Sequence, residues 1–248
     1  MRRLVFSDVH ANATALAAAL AASQGRWEQA VCLGDLVGYG PDPNEVVDRI
    51  RPLVGAIIRG NHDKAVCGLG DLDDFNPIAR SAVEWTRRQL RPENLRYLAG
   101  IPAGPLHIDN LTLVHGAFHD EDEYVFVPDQ ALDGLLVAPQ ALTFFGHTHM
   151  QGGFSYRASD PEPVTLKPPR TGGFFSALQI ERGSRYLLNP GSIGQPRDGD
   201  ARAAFAIVDS EQSLVEFWRV PYDITSVQQR LRLAGFPEPL AARLASGH

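Results

Sequence analysis

Cysteine and methionine are nearly absent from this sequence, with two of each among 248 residues. Cys32 and Cys67 form no CxxC pair, and a single pair so far apart could not staple a chain this long. Both read as small buried side chains in a reducing compartment, which sets a disulfide framework aside. Long apolar runs are missing too. After Met1, Arg2 and Arg3 the apolar stretch breaks at Asp8 and His10, too early for a signal peptide. The alanine-rich residues 11–22 fall short of the roughly 20 apolar residues that cross a bilayer. A cytoplasmic location and no membrane partner are the default expectation. Positive charge is in deficit, with 23 Lys and Arg against 29 Asp and Glu and a formal net charge of -6. That argues against a large nucleic-acid surface. A small nucleotide stays possible, because bound divalent cations would reverse the field of a carboxylate-lined pocket.

What is present is an ordinary globular composition, 44% hydrophobic and 21% charged. No repeat of constant period and no linker divides it, so a single domain over residues 1–248 is expected. Apolar Leu4-Val5-Phe6 reads as a strand, followed by a helix that Asn12 caps and that runs to about Ser23. The cycle recurs with a strand at 30–33 and a helix from Pro43 or Asn44 through Ile50, then a strand at 56–58. Such alternation predicts a parallel sheet covered by helices. Residues 64–76 read as a loop, 77–90 and 92–98 as helices, and 106–108 with 111–114 as a hairpin. A helix at 129–136 and a strand at 142–145 follow. Beyond residue 150, short runs at 153–156, 173–178, 184–188, 203–208 and 213–220 suggest a second, antiparallel sheet. Residues 159–170, with four prolines, read as a loop with freedom to move. Helices at 226–233 and 239–245 form a surface layer.

Metal-type side chains recur where apolar strands end. Asp8 and His10 follow the first, Asp35 the second and Asn61 the third; His115 follows a later one, and His147 and His149 the next. In an α/β sheet the carboxyl ends of parallel strands share one edge, so these residues can meet there. Each cluster alone has a plainer reading: Gly34-Asp35 as a turn, Gly60-Asn61-His62-Asp63 as a polar turn, the histidines as satisfied core residues. Together they form a mixed nitrogen and oxygen set suited to Mn, Fe, Zn or Ni, with more imidazole than Mg or Ca usually receives.

The segments SDVHAN at 7–12, GDLVGYG at 34–40, GNHD at 60–63, HG at 115–116 and GHTH at 146–149 stand in an order that resembles the calcineurin-like metallophosphoesterases. The likeness is to their small bacterial and archaeal members, over roughly residues 1–220. The resemblance implies an α/β fold, a four-layer αββα sandwich of two mixed β-sheets flanked by helices. It places one metal against Asp8, His10, Asp35 and His149, and a second against Asp35, Asn61, His115 and His147, with Asp35 bridging. His62 resembles the family's catalytic histidine outside the ligand set, and Asp63 the residue that orients it. Asn12 resembles a residue near the phosphate, although a plain N-cap explains it equally well. Two divalent ions follow, Mn2+ first, with Fe, Zn, Ni or Mg as alternatives, and in-line attack by a metal-activated water.

Other segments are less decided. Residues 189–197, NPGSIGQPR, are expected near the site entrance, with Arg197 either a phosphate contact or part of a tight connection. Tyr39 either borders the substrate or packs across its loop. The acidic residues 118–124 read best as a solvated loop, with His119 a further polar candidate. Lys64 is the only basic residue directly after GNHD, which favours a phosphodiesterase acting on a small phosphorylated molecule or nucleotide. The alternatives are a phosphomonoesterase, a protein or dinucleoside-polyphosphate phosphatase, and a non-catalytic metal-binding scaffold.

Overall fold

The computed structural model describes residues 1–73, 75–158, 160–166 and 175–248. In chain order the first elements are β1 (Arg2–Phe6), α1 (Ala13–Ser23), β2 (Gln29–Cys32), α2 (Pro43–Ile50), β3 (Ala56–Ile57) and α3 (Asn61–Val66). Then come α4 (Pro77–Gln89), α5 (Pro92–Ala99), β4 (Leu106–Ile108), β5 (Leu111–Leu113), α6 (Pro128–Val137) and β6 (Leu142–Phe144). The remainder comprises β7 (Gly152–Tyr156), β8 (Glu162–Pro163), β9 (Phe175–Gln179), β10 (Arg185–Asn189), β11 (Ala203–Asp209), β12 (Leu214–Val220), α7 (Ile224–Leu233) and α8 (Glu238–Ser246). No helix among the described residues is long and apolar enough to cross a membrane.

Two mixed six-stranded sheets result, in the orders β3-β2-β1-β11-β12-β9 and β4-β5-β6-β10-β7-β8. The alternation along β1 shows why they stack. Leu4 and Phe6 point into a core shared with Leu16 of α1 and Val46 and Ile50 of α2. Val5 points the other way, into a core that joins Val31 and Phe217 of the first sheet to Leu113, Phe144 and Leu188 of the second. Successive strand side chains face opposite sides, so one strand serves both the helix layer and the facing sheet. On the outer face of the second sheet, Ala131 and Leu135 of α6 pack on Phe154 and Leu187. The layers are therefore α, β, β and α.

Three expectations need correction. The strands beyond residue 150 do not make their own antiparallel sheet. β9, β11 and β12 extend the first sheet, while β7, β8 and β10 extend the second, and β10 runs parallel to β6. Alternation reports that a run is a strand, but the partner is chosen by the face it must cover. The loop expected from residue 64 begins later, because α3 carries GNHD on its first turn and continues to Val66. The proline-rich connection contains β8, which pairs with β7; its residues 159 and 167–170 lie outside the described residues, as do 173–174 of the strand expected from 173. Cys32 is buried and Cys67 half-buried, both as free thiols.

β1, β2 and β3 are mutually parallel, and so are β5, β6 and β10. Their carboxyl ends open onto the same edge of the sandwich, and the predicted ligands lie just beyond them.

Candidate metal centre

The backbone at this edge is bent in an unusual way. Asp8, His10, Asp35, His147 and His149 all have φ between 45° and 62°. Left-handed backbone costs a side-chain-bearing residue roughly 1–3 kcal/mol and persists where the surroundings enforce it. Here hydrogen bonds between the turns enforce it. Asp8 N–H donates to Gly34 O at 3.1 Å and His10 N–H to Asp35 O at 2.9 Å. His147 N–H donates to Asp8 Oδ1 at 3.3 Å, and His62 N–H to Asp35 Oδ1 at 2.8 Å. Gly60 lets the third turn close on Asp35, since a Cβ there would overlap Asp35 Oδ1 and its backbone nitrogen.

Four histidine rings are each held by a main-chain carbonyl. Nδ1 of His10 lies 3.1 Å from Val37 O, that of His115 2.7 Å from Leu33 O, and that of His149 2.6 Å from Gln195 O. For His147 it is Nε2 that lies 3.1 Å from Asp122 O. A carbonyl only accepts, so each of these nitrogens carries a proton, and in the neutral ring the opposite nitrogen is a lone pair.

Those lone pairs converge with carboxylates into two groups, Asp8, His10, Asp35 and His149 in one and Asp35, His115 and His147 in the other. Asp35 belongs to both. Its Oδ2 is 3.5 Å from His10 Nε2 and 3.5 Å from His115 Nε2. His149 Nε2 is 3.4 Å from Asp8 Oδ1. Asn61 Oδ1 is 3.3 Å from His115 Nε2, which puts an amide oxygen beside the second group.

This donor set fits divalent cations. His10 Nε2 and His149 Nε2 face each other at 3.0 Å with both protons committed elsewhere, an opposition of lone pairs that a cation between them relieves. Asp8 Oδ2 is buried without a hydrogen-bond partner. A buried acceptor left unpaired in a protein interior signals a missing partner.

Metal-free electrostatics agree. Burial, reinforced by the negative charge of Asp35, pushes the Asp8 carboxyl up to about 7, although His115 pulls it down. Burial holds His10 and His149 well below the ordinary histidine value and lowers His147 to about 3, so these rings are neutral and ready to coordinate. His115 departs from them. Burial would lower it, but Asp35 beside it raises it to about 10, and its imidazolium balances that carboxylate. Asp35 is held well below the carboxylate range: burial opposes this, and His115 and His62 overcome it.

The cluster lies at the floor of a cleft of about 380 Å³, within the range typical of small-ligand sites. Tyr39, His62, Arg197 and Tyr124 line it. Tyr39 borders the cleft and also packs across its loop, with its ring 4.8 Å from His10 and 4.5 Å from His62. Arg197 lies over the Tyr39 ring at 5.6 Å, and its backbone N–H donates to His149 O. His62 is buried and lowered to about 4 by burial. Its Nδ1 has no partner.

Asp63 sits differently from expectation, and Asn12 follows its N-cap reading. Asp63 does not hold the His62 ring. Its Oδ1 accepts from Leu36 N–H and Val37 N–H and its Oδ2 from Gly60 N–H, so it stitches the GDLV turn to the start of α3. Asn12 spends both polar atoms on structure, capping α1 through Ala15 N–H and donating to Gly194 O.

The segment 189–197 is built into the site rather than set at its entrance. Ser192 Oγ donates to Asp8 O at 2.7 Å, and Asn189 Nδ2 donates to Gly146 O at 2.8 Å. His119 is far from these groups in role, exposed and paired with Asp133.

Sequence reasoning weighed a pocket-shaping role for the loop that includes Asp122 and Tyr124 and preferred a solvated one. Gly116 lets it fold over, since a Cβ there would lie 2.5 Å from Glu123 O and 2.7 Å from Glu121 O. Arg59 grips Glu121 through two nitrogens, and Lys64 Nζ meets Asp122 Oδ2 at 2.5 Å and Glu121 Oε1 at 3.2 Å. The run is solvated at His119, Asp120, Asp122, Glu123 and Tyr124, as expected, and is also tied to Arg59 and to α3. The available signal was Gly116 directly after His115.

Comparisons with known proteins place this geometry. The family model described as the calcineurin-like phosphoesterase superfamily domain matches residues 1–213. An uncharacterized protein of Methanocaldococcus jannaschii, MJ0912, is 35% identical over 98% of this chain and 97% of its own length. A metallophosphoesterase crystal structure from Sphaerobacter thermophilus shares 40% identity and superposes with a TM-score of 0.84, covering 100% of this chain and 99% of that one. The hypothetical protein PH1004 from Pyrococcus horikoshii OT3 shares the fold at 21% identity, with a TM-score of 0.76 over 100% of this chain and 98% of that one. With its motifs on the strand ends that the fold brings together, the chain belongs to the calcineurin-like phosphoesterase superfamily.

Proposed function

We propose that this single-domain, cytoplasmic chain is a metal-dependent phosphoric ester hydrolase, and a phosphodiesterase by preference. The observation that carries the reading is Asp35, a carboxylate shared by two histidine-rich groups beside a neutral histidine that is outside both. Asp8, His10, Asp35 and His149 would hold one divalent ion, and Asp35, Asn61, His115 and His147 the other, with Mn2+ the best match. Bound there, the ions supply a hydroxide nucleophile at neutral pH and positive charge for the phosphoryl oxygens.

The chain's own groups do the rest. His62 lines the cleft with Nδ1 buried and unpaired, which leaves Nε2 to meet a bound ester. An orphaned lone pair is tolerated better than an orphaned N–H, so the proton sits on Nε2 and is donated as a hydrogen bond to the leaving oxygen. Asp63 keeps the Asp35 turn and the His62 turn in register through three backbone N–H bonds. Arg197 supports the diester preference. Lys64, the other cation of the cleft, is matched by Glu121 and Asp122, whereas Arg197 has no carboxylate partner among the described residues. Beside the ions, one free side-chain cation among the described residues is left for the phosphate, and the second that a doubly charged monoester would draw on is already spent on carboxylates.

The test compares bis(p-nitrophenyl) phosphate with p-nitrophenyl phosphate on metal-stripped protein reconstituted with Mn2+. The expected result is metal-dependent turnover that favours the diester and falls about 10²–10⁴-fold in His62→Ala. Preference for the monoester would replace diesterase by monoesterase. No turnover of either, followed by failure of a wider ester panel, would leave a metal-binding scaffold.

A further inference from the structure

Rings run outward from each ligand group. From the first group, His10 meets Tyr39 and His62, and His62 meets Phe75 at 5.1 Å. These rings are buried or half-buried. The second run is different. His115 meets His147 at 5.1 Å, the Tyr124 ring stacks on His147 at 3.9 Å and 22°, and Phe126 stacks on Tyr124 at 5.2 Å and 12°. Exposure climbs along it, from 4% at His147 to 40% at Tyr124 and 53% at Phe126. Near-parallel rings therefore leave the metal pocket and end in water.

The backbone beneath these rings is fixed. Between them Val125 points inward and is buried with Leu135 and Phe154. The carbonyl of Glu123 accepts from Ala117 N–H at 2.9 Å. Gln130 Oε1 on α6 accepts from both Phe126 N–H and Val127 N–H, at 2.8 and 3.2 Å. With Val125 turned inward its two neighbours face outward, so the segment presents Tyr124 at the cleft and Phe126 just beyond it to solvent. Holding aromatic faces rigid before a ligand arrives removes the cost of ordering them on binding.

Resting on the hydrolase reading above, we propose that the outer face of Phe126, backed by Tyr124, is a stacking subsite for a planar heteroaromatic base carried by the phosphoester, so that the substrate class is a nucleotide. Every base offers a π-face to such a platform. Arg197 and the metal ligands lie on the phosphate side of the cleft and Tyr124 lines it next to His147, so a phosphate and its base would be met in sequence.

The experiment is calorimetric binding of adenosine 5′-monophosphate and ribose 5-phosphate to Mn2+-loaded protein, with bis(p-nitrophenyl) phosphate turnover measured on the same samples. Adenosine 5′-monophosphate is expected to bind about tenfold more tightly, the worth of one base–ring stack. Phe126→Ala is exposed enough to fold normally and should erase most of that ratio, while Phe126→Trp keeps it. Tyr124→Phe keeps the ratio and Tyr124→Leu loses it. Equal affinity for the two phosphates, no binding of either, or a ratio untouched by Phe126→Ala and Tyr124→Leu overturns the subsite. With turnover intact those results leave the hydrolase reading standing, whereas absence of turnover in the unaltered protein counts against that reading itself.

Discussion

Asp35 has one carboxylate oxygen on the His62 N–H and the other 3.5 Å from two histidine rings that belong to different ligand groups. Removing its charge should therefore cost more than removing His62. In Asp35→Asn, metal analysis is expected to find both ions lost or much weakened. His62→Ala should keep its metal content and lose only turnover; equal metal content in the two variants would refute the shared-ligand role. The buried charges also make loading pH-dependent. In the metal-free protein at pH 7, His115, raised to about 10, holds its proton, and Asp8, raised to about 7, holds one about half the time. Ligands coordinate deprotonated, so loading should release roughly one to two protons. Affinity should then rise as pH increases through 7. Calorimetry in buffers of different ionisation enthalpy measures this, and an enthalpy that is independent of buffer would contradict it.

Among the elements, residues 116–127, which follow His115, govern the second candidate ligand group without supplying a ligand side chain. Its Asp122 carbonyl sets the His147 tautomer, and Glu121 and Asp122 anchor it on Arg59 and Lys64. Loosening a ligand's outer partner typically costs 10–100-fold in metal affinity. Glu121→Gln and Lys64→Met should each weaken one of two Mn2+ ions by about that factor and leave the other unchanged in a titration. A uniform loss at both sites would mean that the loop acts on overall stability instead. The 189–197 segment holds the other group, through Gln195 O on His149 and Ser192 Oγ on Asp8 O.

For the molecule as a whole, the centre clamps together turns drawn from both sheets, so metal loading should be felt as global stability. Each ion present at about 100 times its dissociation constant contributes about 2.7 kcal/mol. For a chain of this size that corresponds to a Tm lowered by roughly 5–10 °C per ion when a chelator strips the protein. Differential scanning calorimetry checks this, and an unchanged Tm would show that the turns are held by their hydrogen bonds alone.

The ligand residues were legible because each sits where an apolar run stops, at Asp8, Asp35, Asn61, His115 and His147, and strand ends can be read from neighbouring residues. The αββα class followed from the resemblance those motifs carry. What local sequence could not state was which partner a strand takes or which carbonyl a ring finds. β11 reads as one more alternating run, yet it lies antiparallel to β1 at the centre of the first sheet. Asp63 looks like a partner for the histidine beside it, and instead its oxygens reach back to Leu36 and Val37. His10 and His149 oppose their lone pairs across 139 residues of chain. The sequence by itself determined the donor types, the turns that hold them and the strands that deliver them, because these depend on short-range sterics and periodicity. Only the tertiary structure decided the tautomers, the hydrogen bonds of Asp63 and the stacked run of rings from His147 to Phe126, because each depends on atoms that meet only after the chain has packed.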